Sequence, residues 1–316
     1  MKVITVESYG GPEVLKYSEA PTPATEPGFG LVKVEAIGVN FADCMMRTGR
    51  YPGGPQPAFV PGLEVSGIAV SGAHQGKRIM GIVERGGYAE YALVPDALAF
   101  PYPTELSAEQ AAGFLVTYLT AYYALWMADL KPDEKLLIQA AAGGVGTAAA
   151  QLARQMGAEI FGITSSAEKA EWLRQSGLEH VIESSDYNYR DAVREQSGGD
   201  GIDIILESVG GATLAADLEL LRPLGRLIVY GALSGDPGQL HLGQLFANSL
   251  SVHALHLRSL LQSPEAVSMA MDELLEYARR KKVQPVIGAV YPLAEAAEAH
   301  RLLESRASYG KIILKP

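Results

Sequence analysis

Between residues 135 and 255 the chain alternates two hydrophobic rhythms. Short apolar, β-rich runs occur at 135–139, 159–163, 180–183, 202–207, 226–230 and 251–255, and most neighbours are separated by stretches with apolar residues at helical spacing. Buried strands joined by amphipathic helices make βαβ units, so this region predicts a parallel, doubly wound sheet of six strands. The first hundred residues have another texture. Short runs such as Leu31-Val32-Lys33-Val34-Glu35-Ala36 are broken by Gly and Pro, which fits an irregular β domain. Tyr51-Pro52-Gly53-Gly54-Pro55-Gln56-Pro57-Ala58-Phe59 reads as a long ordered loop, because its prolines and glycines suit no regular element. Ser107-Ala108-Glu109-Gln110 has capping-box spacing and is followed by helical periodicity through Trp126. After Leu257 the chain predicts two helices and a closing strand at 311–314. A six-stranded doubly wound sheet is already complete at that point, so the tail is expected to rejoin the first domain. The expected organisation is one domain of residues 1–119 with 257–316, and a second of residues 120–256.

With 316 residues, of which 48% are hydrophobic and 20% charged, the chain can bury two proper cores. No run approaches the roughly 20 apolar residues of a membrane span. The opening Met1-Lys2-Val3-Ile4-Thr5-Val6 resembles a first strand more than a secretory leader, so a cytoplasmic protein without membrane partners is expected. The single cysteine, Cys44, excludes an intrachain disulfide and a cysteine-rich zinc site. A formal charge of −10 argues against a nucleic-acid groove. The one basic run, Arg279-Arg280-Lys281-Lys282, follows an amphipathic helical stretch at 271–278, where cations complement the negative end of the helix dipole.

The chemistry is concentrated where the first run of the alternating region ends. The strand at 135–139 leads into Ala140-Ala141-Ala142-Gly143-Gly144-Val145-Gly146, and a helix of small residues follows at once. Strand, glycine turn and helix in that order make a dinucleotide site. Gly143 and Gly144 let the backbone approach a pyrophosphate, Gly146 lets helix and strand pack closely, and the helix N-terminus offers free N–H groups. A site for NAD carries a carboxylate about 20 residues further on, at the ribose 2′-hydroxyl. Here the second strand ends in Thr164-Ser165-Ser166, with Lys169 close behind and Glu168 already inside the next helix. Two hydroxyls and an ammonium suit a 2′-phosphate, so Ser165 and Lys169 point to NADPH. The plainer alternative is that Ser165 or Ser166 caps the helix and Lys169 is a solvated charge.

These residues, together with Gly38-Val39-Asn40-Phe41-Ala42-Asp43, Gly49-Arg50-Tyr51-Pro52, Pro61-Gly62-Leu63-Glu64, Leu119-Thr120-Ala121-Tyr122 and the ending Gly310-Lys311-Ile312-Ile313-Leu314, resemble the medium-chain dehydrogenase/reductase superfamily. The resemblance spans the chain and is specific to the zinc-free quinone oxidoreductase (zeta-crystallin) branch. It implies an α/β fold, with a Rossmann doubly wound parallel sheet and a GroES-like irregular β domain. In zinc-dependent members a cysteine and a histidine bind the catalytic metal. Asn40 and Leu63 stand at those places, so no metal site is expected, and His253 and His256 lie i, i+3 on a strand and point to opposite faces.

The resemblance further implies that Gly143, Gly144, Val145 and Gly146 hold the pyrophosphate and that Asn40 and Thr120 contact the nicotinamide half. Gly231 and Ser234 close over the nicotinamide, Lys311 reaches the phosphates, and Tyr51 projects toward substrate. Each of Asn40, Thr120 and Tyr51 also has a purely local use, in a turn, a helix and a loop plug respectively. Two features depart from the family pattern. An Asn-Tyr pair that helps hold the adenosine is replaced by Glu183-Ser184, with Tyr187 and Tyr189 following, and the loop at 71–78 is short. The implied activity is NADPH-dependent reduction of a quinone or related conjugated carbonyl. Reduction of an activated alkene in an enal or enoyl thioester is the alternative, and a non-catalytic NADPH-binding protein is a third reading. The apolar last strand of the sheet predicts a homodimer paired through that edge.

Overall fold

A computed structural model describes every residue from Met1 to Pro316. The chain forms two compact units, Thr120–Leu260 and a discontinuous one made of Met1–Leu119 with Leu261–Pro316.

In the continuous unit the strands are β1 (Lys135–Ile138), β2 (Glu159–Thr164), β3 (His180–Glu183), β4 (Ile202–Glu207), β5 (Leu221–Val229) and β6 (Ser251–Ala254). They lie in the order β3-β2-β1-β4-β5-β6 and every pairing is parallel. That order is the Rossmann arrangement, in which the direction of strand addition reverses between β1 and β4 and leaves a crevice at their carboxyl ends. The helices that connect the strands are α1 (Gly144–Gln155), α2 (Ala167–Gln175), α3 (Arg190–Gln196), α4 (Ala212–Leu220) and α5 (Leu242–Asn248). Leu136, Leu137 and Ile138 of β1 and Ile204, Ile205 and Leu206 of β4 are all fully buried. Central strands covered on both faces need such continuous apolar runs, and this is why their signal in the sequence is strong. β5 begins five residues earlier than its apolar pattern indicates. Leu221 pairs with Ile202, a bulge follows, and regular pairing resumes at Arg226.

The discontinuous unit is built on one long strand, Phe29–Val39. A register shift between Val34 and Ala36 bends it, so that its first half pairs with Tyr91–Pro95 and its second half with Lys311–Lys315. The sheet continues through Glu64–Ala69, Arg78–Ile82 and Ala99–Pro101 on one side and ends at Ile287–Pro292 on the other. Ile4, Val32, Ile37, Val65, Ile79 and Ile312 fill the core. Residues 311–315 therefore complete a sheet begun almost three hundred residues earlier, which is why the tail returns.

Three expectations change. The strand Ile287–Pro292 was not apparent in the sequence, since a glycine and a terminal proline weaken its pattern. The helix after Ser107 is two helices, Ala108–Ala112 and Leu115–Met127, because the first ends at Gly113. The return to the discontinuous unit falls at Leu261, four residues later than expected, because the short helix Leu257–Leu260 stays with the Rossmann unit.

Candidate active site

At the end of β1, Ala140 takes a left-handed backbone with φ of 50° and turns the chain into α1. The Ala141 N–H donates to the Ile163 carbonyl at 2.9 Å, which fastens the turn to β2. Gly143 is the N-cap of α1 and no side chain caps it, so the first-turn amides are left to an external acceptor. Gly146 has no room for a side chain, since a Cβ there would lie 2.6 Å from the Ala140 carbonyl oxygen. The result is a bare, positively polarised helix end three residues long, formed by Gly144, Val145 and Gly146.

Beyond β2 the expected pair separates into different roles. Ser165 is exposed, whereas Ser166 caps α2 and its Oγ accepts from the Lys169 N–H at 3.4 Å. Lys169 is only 9% exposed, so it is not the solvated surface charge of the plainer reading. It occupies the first turn of α2, where the helix dipole opposes a cation. Thr120 is buried in the helix Leu115–Met127. Gly231 and Ser234 belong to a loop that hangs on the turn after β4. The Leu233 and Ser234 N–H groups donate to the Ser208 and Val209 carbonyls at 2.9 and 2.8 Å. A Cβ on Gly231 would lie 3.0 Å from the Ser208 carbonyl oxygen. Tyr189 is fully buried, and its hydroxyl donates to Asp217 Oδ1 at 2.7 Å, so it is spent inside the unit and is no adenosine contact.

In the discontinuous unit Asn40 sits at the end of the long strand, N-terminal to the helix Phe41–Arg47. Its amide donates to Glu64 Oε1 at 3.0 Å and to the Gly38 carbonyl at 3.3 Å, and its Oδ1 accepts from Lys311 Nζ at 2.8 Å. Lys311 also donates to Glu64 Oε1 at 2.7 Å and to the Val39 carbonyl at 2.9 Å. Glu64 Oε2 accepts from the Val116 N–H at 3.0 Å. This corrects the expected role of Lys311. An ammonium has three donors, and here all three are taken by a buried cage, so Lys311 fixes Asn40 and neutralises Glu64 instead of reaching a phosphate. Gly38 is required beside the cage, because a Cβ there would fall 2.2 Å from the Ala112 carbonyl and 2.4 Å from Glu64 Oε1.

Behind Asn40 lies a second buried polar cluster that sequence reasoning missed. Asp43 Oδ2 accepts from the Asn40 N–H at 2.8 Å and from the Tyr88 hydroxyl at 3.2 Å. Tyr88 lies 2.9 Å from His300 Nε2, while Arg47 Nη1 approaches His300 Nδ1 at 3.3 Å. Arginine can only donate, so Nδ1 is the acceptor and Nε2 carries the imidazole proton toward Tyr88. Arg47 Nη2 also holds Glu304 at 2.6 Å. Burial raises the Asp43 carboxyl to about 7, against the Asn40 N–H and the charge of Lys311. Burial, with the Arg47 charge, lowers His300 to about 3. The sequence carried a hint of the first cluster only, namely Glu64 and Lys311, charged residues opening otherwise apolar strands. Tyr51 lines a cavity of about 200 Å³ together with Tyr9, Met46 and residues of its own loop.

Comparison with known proteins places these features. Residues 26–104 match the family model of the alcohol dehydrogenase GroES-like domain, and residues 144–276 match that of the zinc-binding dehydrogenases. The quinone oxidoreductase of Sus scrofa is 35% identical over 325 residues, covering 99% of this chain and 97% of that protein. The synaptic vesicle membrane protein VAT-1 homolog of Rattus norvegicus is 33% identical, covering 100% of this chain and 84% of its own length. Among solved structures, the Escherichia coli quinone oxidoreductase complexed with NADPH superposes with a TM-score of 0.94 at 31% identity, with both chains fully covered. The quinone oxidoreductase of Thermus thermophilus, also solved with NADPH, gives 0.91 at 37% identity, again with full coverage of both. The chain belongs to the quinone oxidoreductase branch of the medium-chain dehydrogenase/reductase superfamily.

Within that branch, the discontinuous unit is the GroES-like domain and Thr120–Leu260 is the Rossmann domain. The places of the catalytic zinc ligands are now defined by their surroundings. Leu63 packs on the apolar core and has no donor atom. The Asn40 amide is committed to Glu64, Gly38 and Lys311. The Lys311 and Glu64 charges fill the space behind Asn40 with an internal ion pair, both partners almost wholly buried.

Proposed function

We propose that this protein is an NADPH-dependent oxidoreductase that reduces quinones and related conjugated carbonyl compounds without a metal ion. The observation that carries the reading is the uncapped glycine end of α1 with serine and lysine, and no carboxylate, at the end of β2. Gly143, Gly144, Val145 and Gly146 hold the pyrophosphate, whose charge answers the open amides. Ser165 and Lys169 hold the 2′-phosphate. A cation in the first turn of α2 is unfavourable by itself, about 0.3–1 kcal/mol, and a bound dianion converts that cost into attraction.

Thr120, Gly231 and Ser234 are the Rossmann unit's assigned contacts to the nicotinamide half, and Asn40 is assigned to the same half by resemblance. The Asn40 amide protons are spent, so what it offers a ligand is the second lone pair of Oδ1, held in place by Lys311. NADPH, when bound, supplies the reducing equivalents, and the protein supplies orientation and charge. Conjugated acceptors delocalise the incoming negative charge themselves, so no Lewis acid is needed, and Asn40 and Leu63 supply neither the thiolate nor the imidazole that zinc favours. The cavity beside Tyr51 is of the order that takes a single ring. Tyr51 or water delivers the proton.

The edge strand β6 and the neighbouring helix α5, which exposes Leu242 and Phe246, support pairing with a second copy of the chain. No helix is long and apolar enough to cross a membrane, and a cytoplasmic site of action belongs to the proposal.

The test is NADPH oxidation, followed by loss of nicotinamide absorbance with a panel of benzoquinones, naphthoquinones, enals and enoyl thioesters. Quinones should stimulate turnover most. Stimulation by enals or enoyl thioesters alone would select alkene reduction. Tight NADPH binding without turnover on any acceptor would leave a binding protein.

A further inference from the structure

Beneath the nicotinamide loop of the Rossmann domain lies a group of buried acids that the redox reading does not use. Glu207 closes β4 and Asp217 lies on α4, and neither is exposed. Glu207 Oε1 accepts from the N–H groups of Val209 and Gly210, the latter at 2.8 Å, and so pins the turn that follows β4. Asp217 Oδ1 accepts from Gln139 Nε2 at 2.8 Å and from the Tyr189 hydroxyl at 2.7 Å. The other oxygen of each carboxyl, Glu207 Oε2 and Asp217 Oδ2, is buried with no donor. The two carboxyl groups lie close enough to act directly on one another.

Two ionised carboxylates cannot share a dry site at contact distance, whereas one proton between them satisfies both orphaned oxygens. The surroundings offer no other neutralisation. Gln139 from β1, Tyr189 from the segment before α3, the Thr213 carbonyl on α4 and Tyr230 after β5 face the pair, and none is a cation. Burial and the Glu207 contact both push the Asp217 carboxyl well above its ordinary value, and burial holds the Tyr230 phenol up at about 12.

We propose that Glu207 and Asp217 share a single proton, and that this pair is a positioning latch for the cofactor loop. Its chain of contacts is short. The pair holds Glu207, Glu207 holds the amides of Val209 and Gly210, and the Ser208 and Val209 carbonyls hold Leu233 and Ser234. Loss of the proton drives the carboxylates apart and releases the turn. The Gly231–Ser234 loop loses its anchor and NADPH is held less well. The effect on NADPH rests on the assignment of that loop to the nicotinamide, whereas the shared proton does not.

Two measurements on the full chain test it. Infrared spectra near pH 9, above the range in which Asp43 ionises, should show a protonated carboxylic acid band. The band should shift on selective ¹³C labelling of aspartate or glutamate and vanish in both Asp217→Asn and Glu207→Gln. NADPH affinity, read by fluorescence titration in the native protein, should fall about tenfold or more as pH is raised through the range in which the acid band disappears. It should change less than about threefold in Asp217→Asn, whose amide donates to Glu207 at every pH. No acid band in the native protein overturns the shared proton whatever the variants do. Parallel affinity losses in native and Asp217→Asn protein overturn the latch. If Ser234→Ala leaves NADPH affinity unchanged while the band is present, the loop assignment fails and the shared proton stands.

Discussion

Replacing Lys311 by methionine separates the two roles it has been given. The substitution keeps the length of the stem and removes the ammonium that donates to Glu64, Asn40 and the Val39 carbonyl at 2.7–2.9 Å. Glu64 then keeps only Asn40 Nδ2 and the Val116 N–H as partners, and its charge is stranded where its side chain is 1% exposed. Breaking a buried pair from one side costs about 3–5 kcal/mol, which at roughly 2–4 °C per kcal/mol lowers the unfolding midpoint by about 6–20 °C. Adding Glu64→Gln removes the stranded charge, so the double variant should recover about 2 kcal/mol or more relative to additivity in a urea-unfolding cycle. Below the unfolding range, Lys311→Met should bind ADP-ribose 2′-phosphate, which carries both phosphate groups but no nicotinamide, within about threefold of native and with the same salt dependence. A variant of native stability that binds this fragment tenfold more weakly, with a shallower salt slope, would refute the cage and return Lys311 to the phosphates.

Lys169→Ala should weaken NADPH about tenfold, the loss of one charge-assisted contact, and leave NADH nearly unchanged. Equal losses for both nucleotides, measured by fluorescence titration, would remove Lys169 from the 2′-phosphate. The buried Asp43–Tyr88–His300 cluster makes a linkage prediction. Asp43 is raised in the folded state to about 7, so its contribution to stability is full below its unfolded pKa and is lost as pH rises through about 7. His300 is lowered to about 3, so its contribution is full above its unfolded pKa of about 6.5 and is lost as pH falls toward 3. Between about pH 4 and 6.5 the two slopes oppose each other. Denaturant midpoints should therefore fall with rising pH in His300→Gln relative to native, and fall with decreasing pH in Asp43→Asn. Slopes of the same sign in the two variants would contradict the assigned protonation states.

What could be read from the chain without its coordinates is what neighbours in sequence decide. The run from Lys135 to Gly146 is contiguous, so strand, turn and open helix end were all legible there, as was the missing carboxylate after β2. The inner Rossmann strands β1, β2 and β4 were legible because strands buried on both faces are largely apolar. The helix start at Ser107 was written in its capping box, whose hydrogen bonds the structure contains.

Folding decided what distant residues do to one another. Lys311 and Asn40 are 271 positions apart, and Arg47 and His300 are 253 apart. A lysine opening an apolar strand looks the same in sequence whether its ammonium meets a phosphate or an internal carboxylate. Glu207, Asp217, Gln139 and Tyr189 come from four separate segments, and none is unusual in its local context. Periodicity shows which face of an element turns inward, but the charge state of a buried acid depends on which groups arrive beside it, and those are chosen only when the sheets and helices pack.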